Sequence, residues 1–144
     1  MPRYSDRYLD GLLDSSNYHD LVVLQGILVT PPRFDSHQPD YGLPPYFFVV
    51  VEGLAWFAQA WRSGVWTYFE ATPPQRQQTM FEALLQFGPE EFAQHYQFGM
   101  RHWQDTQEVA PLDSWMKAMD EVANEWMRTI LRAHRAEYKA WCEK

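Results

Sequence analysis

Glu52 is the residue best placed for chemistry in this 144-residue sequence, because it interrupts the nearly continuous apolar segment 46–61. Burial raises the pKa of a carboxyl group unless a donor or a cation stabilises its charged form, and perturbed acids are common in functional sites. A pocket that joined Glu52 to Trp66 and Tyr68 would indicate a small ligand-binding module or an enzyme. A structural hydrogen bond or a helix face that meets solvent is the alternative interpretation of Glu52.

Glu91, His95 and His102 form the best metal-ligand set, since their spacing places all three near one face of a helix. Zinc needs three or four converging ligands supported by a second shell, and side chains from one helix usually supply at most two contacts to one ion. We therefore expect no metal site and no cofactor. The sequence contains no Gly-rich phosphate loop, no nucleophile elbow and no His-Glu-x-x-His motif, so no catalytic residue is assigned.

Two charged rows point to binding rather than to catalysis. The acidic row consists of Asp6, Asp10 and Asp14, and the basic row of Arg128, Arg132, Arg135 and Lys139. Acids repeated along a surface can imitate a phosphate backbone, and the basic row would suit an anion or an acidic partner. Solvated helix faces are the alternative for both rows. The predicted partner-binding set comprises Asp6, Asp10, Asp14, Glu52, Trp66, Tyr68, Glu70, Arg128, Arg132 and Arg135.

The charge balance is acidic, with a formal net charge of −7. Residues 1–125 carry 17 acidic and 7 basic side chains, whereas residues 126–144 carry 2 acidic and 5 basic ones. An acidic body disfavours direct contact with nucleic acid; it suits a partner with a basic face, although solubility alone would also explain it. The apolar runs are too short to span a bilayer, the N-terminus lacks an apolar signal core, and the lone Cys142 excludes an intramolecular disulfide. A cytoplasmic setting is therefore the default expectation.

The pattern of apolar residues predicts an all-α fold, with about six helices packed around a Trp-rich core in one compact domain over residues 1–144. A Pro-rich loop is expected at 30–45, and 112–144 has the spacing of one long amphipathic C-terminal helix. Segments 16–29 and 46–51 are interpreted as helical, but their valines leave a strand open at each.

The aromatic stretch 61–72 is predicted to be a corner of the core rather than a pocket. Gly64 lies where one helix must end, and the next long helix begins at Thr72-Pro73. On so short a segment, three aromatic rings cannot all face one way. We expect Phe69 and one of Trp66 or Tyr68 to be buried.

Residues 63–100 carry a family resemblance. Gly64, Tyr68 and Phe69 match in order an Asn-Gly-Gly-Phe-x-x-Tyr-Phe marker, and Leu84, Phe87 and Gly88 match a following Leu-x-x-Ile-Gly-Ala pattern. The segment resembles a bacterial all-helical domain family of largely unassigned function, one member of which is a DNA-mimic protein. It departs from the marker in having Arg62-Ser63-Gly64-Val65 in place of Asn-Gly-Gly-Phe, and Pro89 in place of the usual Ala. The resemblance implies an all-α fold with a helix–turn–helix corner, but a fold alone does not imply the mimic function.

Three functional hypotheses follow. The favoured one is a non-enzymatic acidic protein that engages and inhibits a protein with a basic surface, such as a DNA-binding protein or a nuclease, with DNA mimicry as one route. The second is an immunity or antitoxin-type protein that neutralises a toxin, and the third is the ligand-binding module or enzyme built on Glu52. Neither direct nucleic-acid binding nor membrane contact is expected, and exposed aromatic residues would also allow a homodimer.

Overall fold

The computed structural model describes residues 4–31 and 33–143, and every regular element in these ranges is an α-helix. The helices are α1 (Asp6–Asp14), α2 (Tyr18–Leu28), α3 (Pro45–Ser63), α4 (Val65–Ala71), α5 (Pro74–Phe87), α6 (Glu90–His102), α7 (Ala110–Ala118), α8 (Asp120–Ala133) and α9 (Arg135–Glu143). The predicted segments also include five residues that lie outside the described ranges, namely Met1, Pro2, Arg3, Pro32 and Lys144. The all-α prediction is confirmed, and residues 46–51 are helical. The described ranges hold nine helices, so the predicted number of about six is wrong.

The predicted continuous helix over 112–144 is also wrong, because the chain breaks at Met119 and His134. Met119 has φ −98° and ψ 5°, and His134 has φ −112° and ψ 34°, far from the ψ of about −42° of an α-helix. The second break redirects the chain so that the Arg135 guanidinium lies 2.6 Å from the Asp10 carboxylate. The apolar pattern continues through both breaks, so periodicity alone does not reveal them.

Helix α3 is the centre of the fold and packs against α2, α4, α5, α7 and α8. Its first turn begins at Pro45, where the missing N–H costs nothing. It ends at Gly64, whose φ of 95° favours glycine. Because most of its side chains are buried, α3 is apolar nearly all round.

The core is aromatic, but tryptophan is not its main component. Only Trp56 among the seven tryptophans is fully buried, whereas Trp61 and Trp66 are exposed and the other four are partly buried. Around Trp56, the rings of Phe57 and Tyr96 lie in edge-to-face contact at centroid distances of 4.9 and 5.0 Å. Such pairs stabilise a core beyond the area that they bury.

The prediction of a core corner at residues 61–72 is confirmed. Tyr68 and Phe69 are buried, and Trp66 is 39% exposed. The corner is fixed from outside by Asp113 of α7, whose Oδ1 accepts the N–H of Val65 at 2.8 Å. Asp113 therefore satisfies a backbone donor at the start of α4 that the helix itself leaves unpaired.

The predicted Pro-rich loop is irregular over its described residues and lies on α5 and α9. Arg76 of α5 donates hydrogen bonds to three loop carbonyls, those of Ser36, Gln38 and Pro39. Arg33 donates to the carbonyl of Trp141 at 2.7 Å and lies over its ring. These contacts bring loop residue Tyr41 to the core. None of the helices in 4–31 and 33–143 has the length and apolar character needed to cross a membrane.

Candidate functional site

Glu52 lies in a buried hydrogen-bond network of tyrosines. The residue is 2% exposed. The hydroxyl of Tyr41 donates to its Oε1 at 2.6 Å, and the hydroxyl of Tyr68 donates to its Oε2 at 2.5 Å. The Tyr68 and Tyr96 hydroxyl oxygens are 2.8 Å apart. Both oxygens of Glu52 are thus occupied by donors from the same chain.

The tyrosines of the network are held as neutral donors. Burial, followed by the nearby Glu52 charge, raises the pKa of Tyr41. Burial, with Tyr96 and Glu52 as further causes, raises the pKa of Tyr68 well above its ordinary value. A neutral phenol donates a hydrogen bond and a carboxylate accepts up to four, so the geometry matches a satisfied structural network. Its clearest effect is to attach the Pro-rich loop, through Tyr41, to the central helix α3.

Of the residues predicted near Glu52, the structure brings only Tyr68 to it. Trp66 lies on the exposed side of α4, and Glu70 is exposed on the same helix. The hydrogen bonds to the Glu52 carboxylate come from tyrosines. Tyr41 and Tyr96, which complete the network, were not predicted, because they lie 11 and 44 residues away in sequence.

The predicted acidic and basic rows meet each other. Arg135 contacts Asp10 at 2.6 Å and Asp14 at 2.5 Å, and the Lys139 ammonium lies 2.9 Å from Asp10. The hydrogen bond from Lys139, followed by the one from Arg135, lowers the pKa of Asp10. Asp6 is exposed in the first turn of α1. Two of the three acids in the row are therefore engaged within the chain.

The remaining arginines of the basic row also bind within the chain. Arg132 donates to the carbonyls of Leu13 and Ser15 at 2.7 and 3.0 Å, where α1 leaves carbonyls unpaired at its C-terminus. Arg128 is 8% exposed, and its guanidinium lies 3.4 Å from Glu125. Within the described residues, the Nε atom of Arg128 has no hydrogen-bond partner. Arg132, Arg135 and Lys139 thus attach α8 and α9 to α1, whereas Arg128 pairs within α8.

The strongest candidate for a binding site is a surface cleft between the start of α2, the end of α3 and the start of α8. Its volume is about 680 Å³. We call it the acidic cleft, and it is lined by Tyr18, Ala58, Trp61, Arg62, Asp120, Glu121 and Asn124. A second lobe of about 420 Å³ shares three of these residues and continues to Ser16, Glu125 and Arg128.

Local sequence places each side of the acidic cleft. The Asn17 side chain accepts the N–H of His19 at 2.9 Å, which starts α2 and fixes Tyr18 as its first residue. Ala58, Trp61 and Arg62 follow the i, i+3, i+4 spacing of one helix face. The break at Met119 starts a new helix, so the adjacent acids at 120 and 121 lie in the first turn of α8, where the helix dipole favours negative charge.

The carboxylates of Asp120 and Glu121 lack a compensating cation in the described part of the chain. No Lys, Arg or His nitrogen of these residues lies within 4.0 Å of either carboxylate, although Arg62 lines the same cleft. Burial, followed by the neighbouring Glu121 charge, raises the pKa of Asp120 against a hydrogen bond from Asn124. Burial and then Asp120 raise the pKa of Tyr18. The lining of the cleft therefore holds two carboxylates, neither of which forms an ion pair with Arg62 or with another cation of the described residues.

Exposed aromatic rings stand beside this charge. Trp61 is 58% exposed and Tyr18 is 45% exposed. An aromatic face attracts a cation, and a carboxylate binds a guanidinium or an ammonium group through charge-assisted hydrogen bonds. The combination is suited to a Lys or Arg side chain of another molecule.

The sequence reasoning missed the residues of the acidic cleft. Two adjacent acids, at positions 120 and 121, are a weak signal on their own. The same holds for Trp61, at the polar end of an apolar helix. Tyr18 and Asp120 are 102 positions apart, so no local pattern joins them. The break at Met119 places both acids in the first turn of a helix, and the continuous apolar pattern gives no sign of this break.

The histidine set from the sequence has other partners. The ring of His95 stacks on that of Trp115 at 3.9 Å, and its Nδ1 lies 2.7 Å from the Glu91 carbonyl. His102 lies 2.6 Å from the carboxylate of Glu108. Among the described residues, no three His, Cys, Asp or Glu side chains are grouped so that they could hold a metal ion.

No protein-family model, curated protein or solved structure matches the chain. The family resemblance of residues 63–100 therefore stays a prediction.

Proposed function

We propose that this is an acidic binding protein that captures a basic segment of a protein partner in the acidic cleft. The observation that carries the proposal is the uncompensated carboxylate pair, Asp120 and Glu121, next to the exposed rings of Tyr18 and Trp61. The net charge of −7 would guide a basic partner toward the protein over distances of about a Debye length.

Occupation of a basic surface is a direct route to inhibition. A DNA-binding protein, a nuclease or a toxin that acts on nucleic acid holds phosphates with Lys and Arg side chains. A cleft that binds one of these side chains would block that surface. Because Asp10 and Asp14 are paired with Arg135 and Lys139, we place the interface at the acidic cleft rather than on a phosphate-like row of acids.

The test uses a defined cationic probe, a fluorescein-labelled dodecapeptide of alternating Arg and Ala. Its dissociation constant is measured by fluorescence anisotropy at low salt for the wild type and for the double variant Asp120→Asn/Glu121→Gln. We expect at least a tenfold loss of affinity, because each charge-assisted hydrogen bond contributes about 1.5–3 kcal/mol. Trp61→Ala should lose about two- to fivefold, the size of an exposed cation–π contact of about 0.5–1 kcal/mol.

The matched control is Glu82→Gln/Glu90→Gln, which removes two exposed carboxylates outside the acidic cleft. This control should bind the peptide within threefold of the wild type. Equal losses in the cleft variant and in the control would mean that diffuse surface charge attracts the peptide, and the proposal would then be rejected.

A further inference from the structure

We propose that the captured segment is one end of an amphipathic helix, whose apolar face lies along the outward face of α2. This inference rests on the proposed function and adds the secondary structure and the footprint of the partner. The outward face of α2 is defined here by Tyr18, Val22 and Gly26, which follow one another at four-residue spacing.

The outward face of α2 is uncovered and mainly apolar, with the exposed His19 at its edge. Tyr18, Val22 and Gly26 are all exposed, and Val22 is 38% exposed. A Cβ atom placed on Gly26 would meet no described atom within 4 Å, so a partner backbone can approach closely there. Only three residues of α2, namely His19, Asp20 and Gln25, are polar. A helix that is apolar nearly all round is normally covered on all sides.

This face is continuous with the acidic cleft, since Tyr18 belongs to both. From Tyr18 to Gly26 the helix rises eight residues, or about 12 Å, which is the length of about two helical turns. A partner that reaches Asp120 with a cation and then runs along α2 would cover both features. Its apolar residues would recur every three or four positions, as in helix-in-groove recognition.

The charge of the protein and the secondary structure of its described residues indicate which kind of partner fits the outward face of α2. A second copy of this chain would bring two molecules of net charge −7 together, which disfavours self-association through this face. The described residues contain no strand, so they offer no sheet edge to which an extended peptide could add. An apolar face with unpaired acids at one end complements a helix with an apolar stripe and a terminal Arg or Lys.

The experiment compares two 16-residue peptides of one design. The first has leucines at i, i+4, i+7 and i+11 and two arginines at one end; the second is identical except for a central proline that prevents a helix. Anisotropy should show the helical peptide binding at least tenfold more tightly than the proline peptide. Val22→Asp should weaken the helical peptide at least tenfold, whereas Leu85→Asp, the matched change at an exposed leucine of α5, should alter its affinity less than twofold.

Gly26→Gln provides a second variant that should fold at least as well as the wild type, because glutamine has the higher helix propensity. It fills the open space on the face and should weaken the helical peptide at least fivefold. Circular dichroism checks that each variant keeps its helical content.

The outcomes separate this inference from the proposed function. If Asp120→Asn/Glu121→Gln weakens the helical peptide and the Val22 and Gly26 variants do not, the cleft binds cations but the α2 inference is wrong. If neither 16-residue peptide binds while the Arg-Ala dodecapeptide does, only the α2 inference is wrong. If no variant changes the binding of any of the three peptides, both are wrong. Equal affinities for the helical peptide and the proline peptide would overturn the inference that the partner is a helix. A dimer in sedimentation equilibrium that Val22→Asp dissociates would assign the face to a second copy and would also overturn it.

Discussion

Replacement of Tyr68 by phenylalanine tests whether the Glu52 network stabilises the fold. The substitution removes one hydroxyl oxygen and keeps the buried ring. In the wild type this hydroxyl donates to the Glu52 carboxylate at 2.5 Å and lies 2.8 Å from the Tyr96 hydroxyl. Tyr68→Phe therefore leaves a buried carboxylate oxygen without this donor and the Tyr96 hydroxyl without this partner.

The cost can be worked out from the two lost contacts. A hydrogen bond to a charged group contributes about 1.5–3 kcal/mol, and one between neutral groups about 0.5–1.5 kcal/mol. We therefore expect Tyr68→Phe to lower the free energy of unfolding by about 3 kcal/mol, within a range of about 2–4.5 kcal/mol. For a chain of this length, that corresponds to a fall in Tm of about 6–12 °C.

Tyr138→Phe is the matched control, because Tyr138 is equally buried and its hydroxyl donates to a neutral acceptor, the Leu24 carbonyl, at 2.8 Å. It should cost about 1 kcal/mol. The measurement is equilibrium urea unfolding followed by circular dichroism at pH 7. Equal losses of unfolding free energy for the two variants would refute the argument that the Tyr68 hydroxyl donates to a charged acceptor. A gain in stability for Glu52→Gln would refute the structural role altogether, since stabilisation on removal is typical of a residue kept for function.

Two further predictions concern packing and charge. Gly99→Ala should destabilise the protein by about 1–3 kcal/mol in urea unfolding, although alanine is the better helix former. The reason is that its Cβ would overlap the buried ring of Phe69. An unchanged unfolding midpoint would show that the ring moves aside. Asp10→Asn should lower Tm more at pH 6, where the ion pair with Lys139 is intact, than at pH 3. The hydrogen bonds that lower the pKa of Asp10 contribute stability that is fully present above about pH 4, the range of a free aspartate, and that is progressively lost as the pH falls toward the lowered pKa. An effect on Tm that is as large at pH 3 as at pH 6 would contradict the ion-pair origin.

The helices and the corner were predictable because their signals are local. Pro45 and Gly64 delimit α3, and the density of aromatic residues after Gly64 required that some of them be buried. Periodicity also identified the helical, amphipathic character of the C-terminal region. It did not identify the breaks at Met119 and His134, since one residue with a non-helical ψ interrupts a helix without interrupting the apolar pattern.

The candidate site was hidden for a different reason. Glu52 is conspicuous in the sequence as a lone acid among apolar residues. In the structure its oxygens accept hydrogen bonds from Tyr41 and Tyr68. Those pairings depend on how the loop and α4 pack, which the sequence does not reveal. Asp120 looked like one acid among many on a surface helix. Asp120 differs from the other acids because Tyr18 and Trp61 line the same cleft, and only the tertiary structure brings these residues together.

The distribution of charge along the chain differs from its distribution in space. Residues 126–144 appear basic in sequence, yet Arg135 and Lys139 pair with acids of α1, and Arg132 binds the carbonyls at its end. An acidic partner would have to break these contacts to reach these side chains of the basic row. A basic partner meets no such cost at Asp120, whose carboxylate has no cation to release within the described residues. The internal pairing of Arg132, Arg135 and Lys139 therefore supports the proposal that the ligand is a cation rather than an anion.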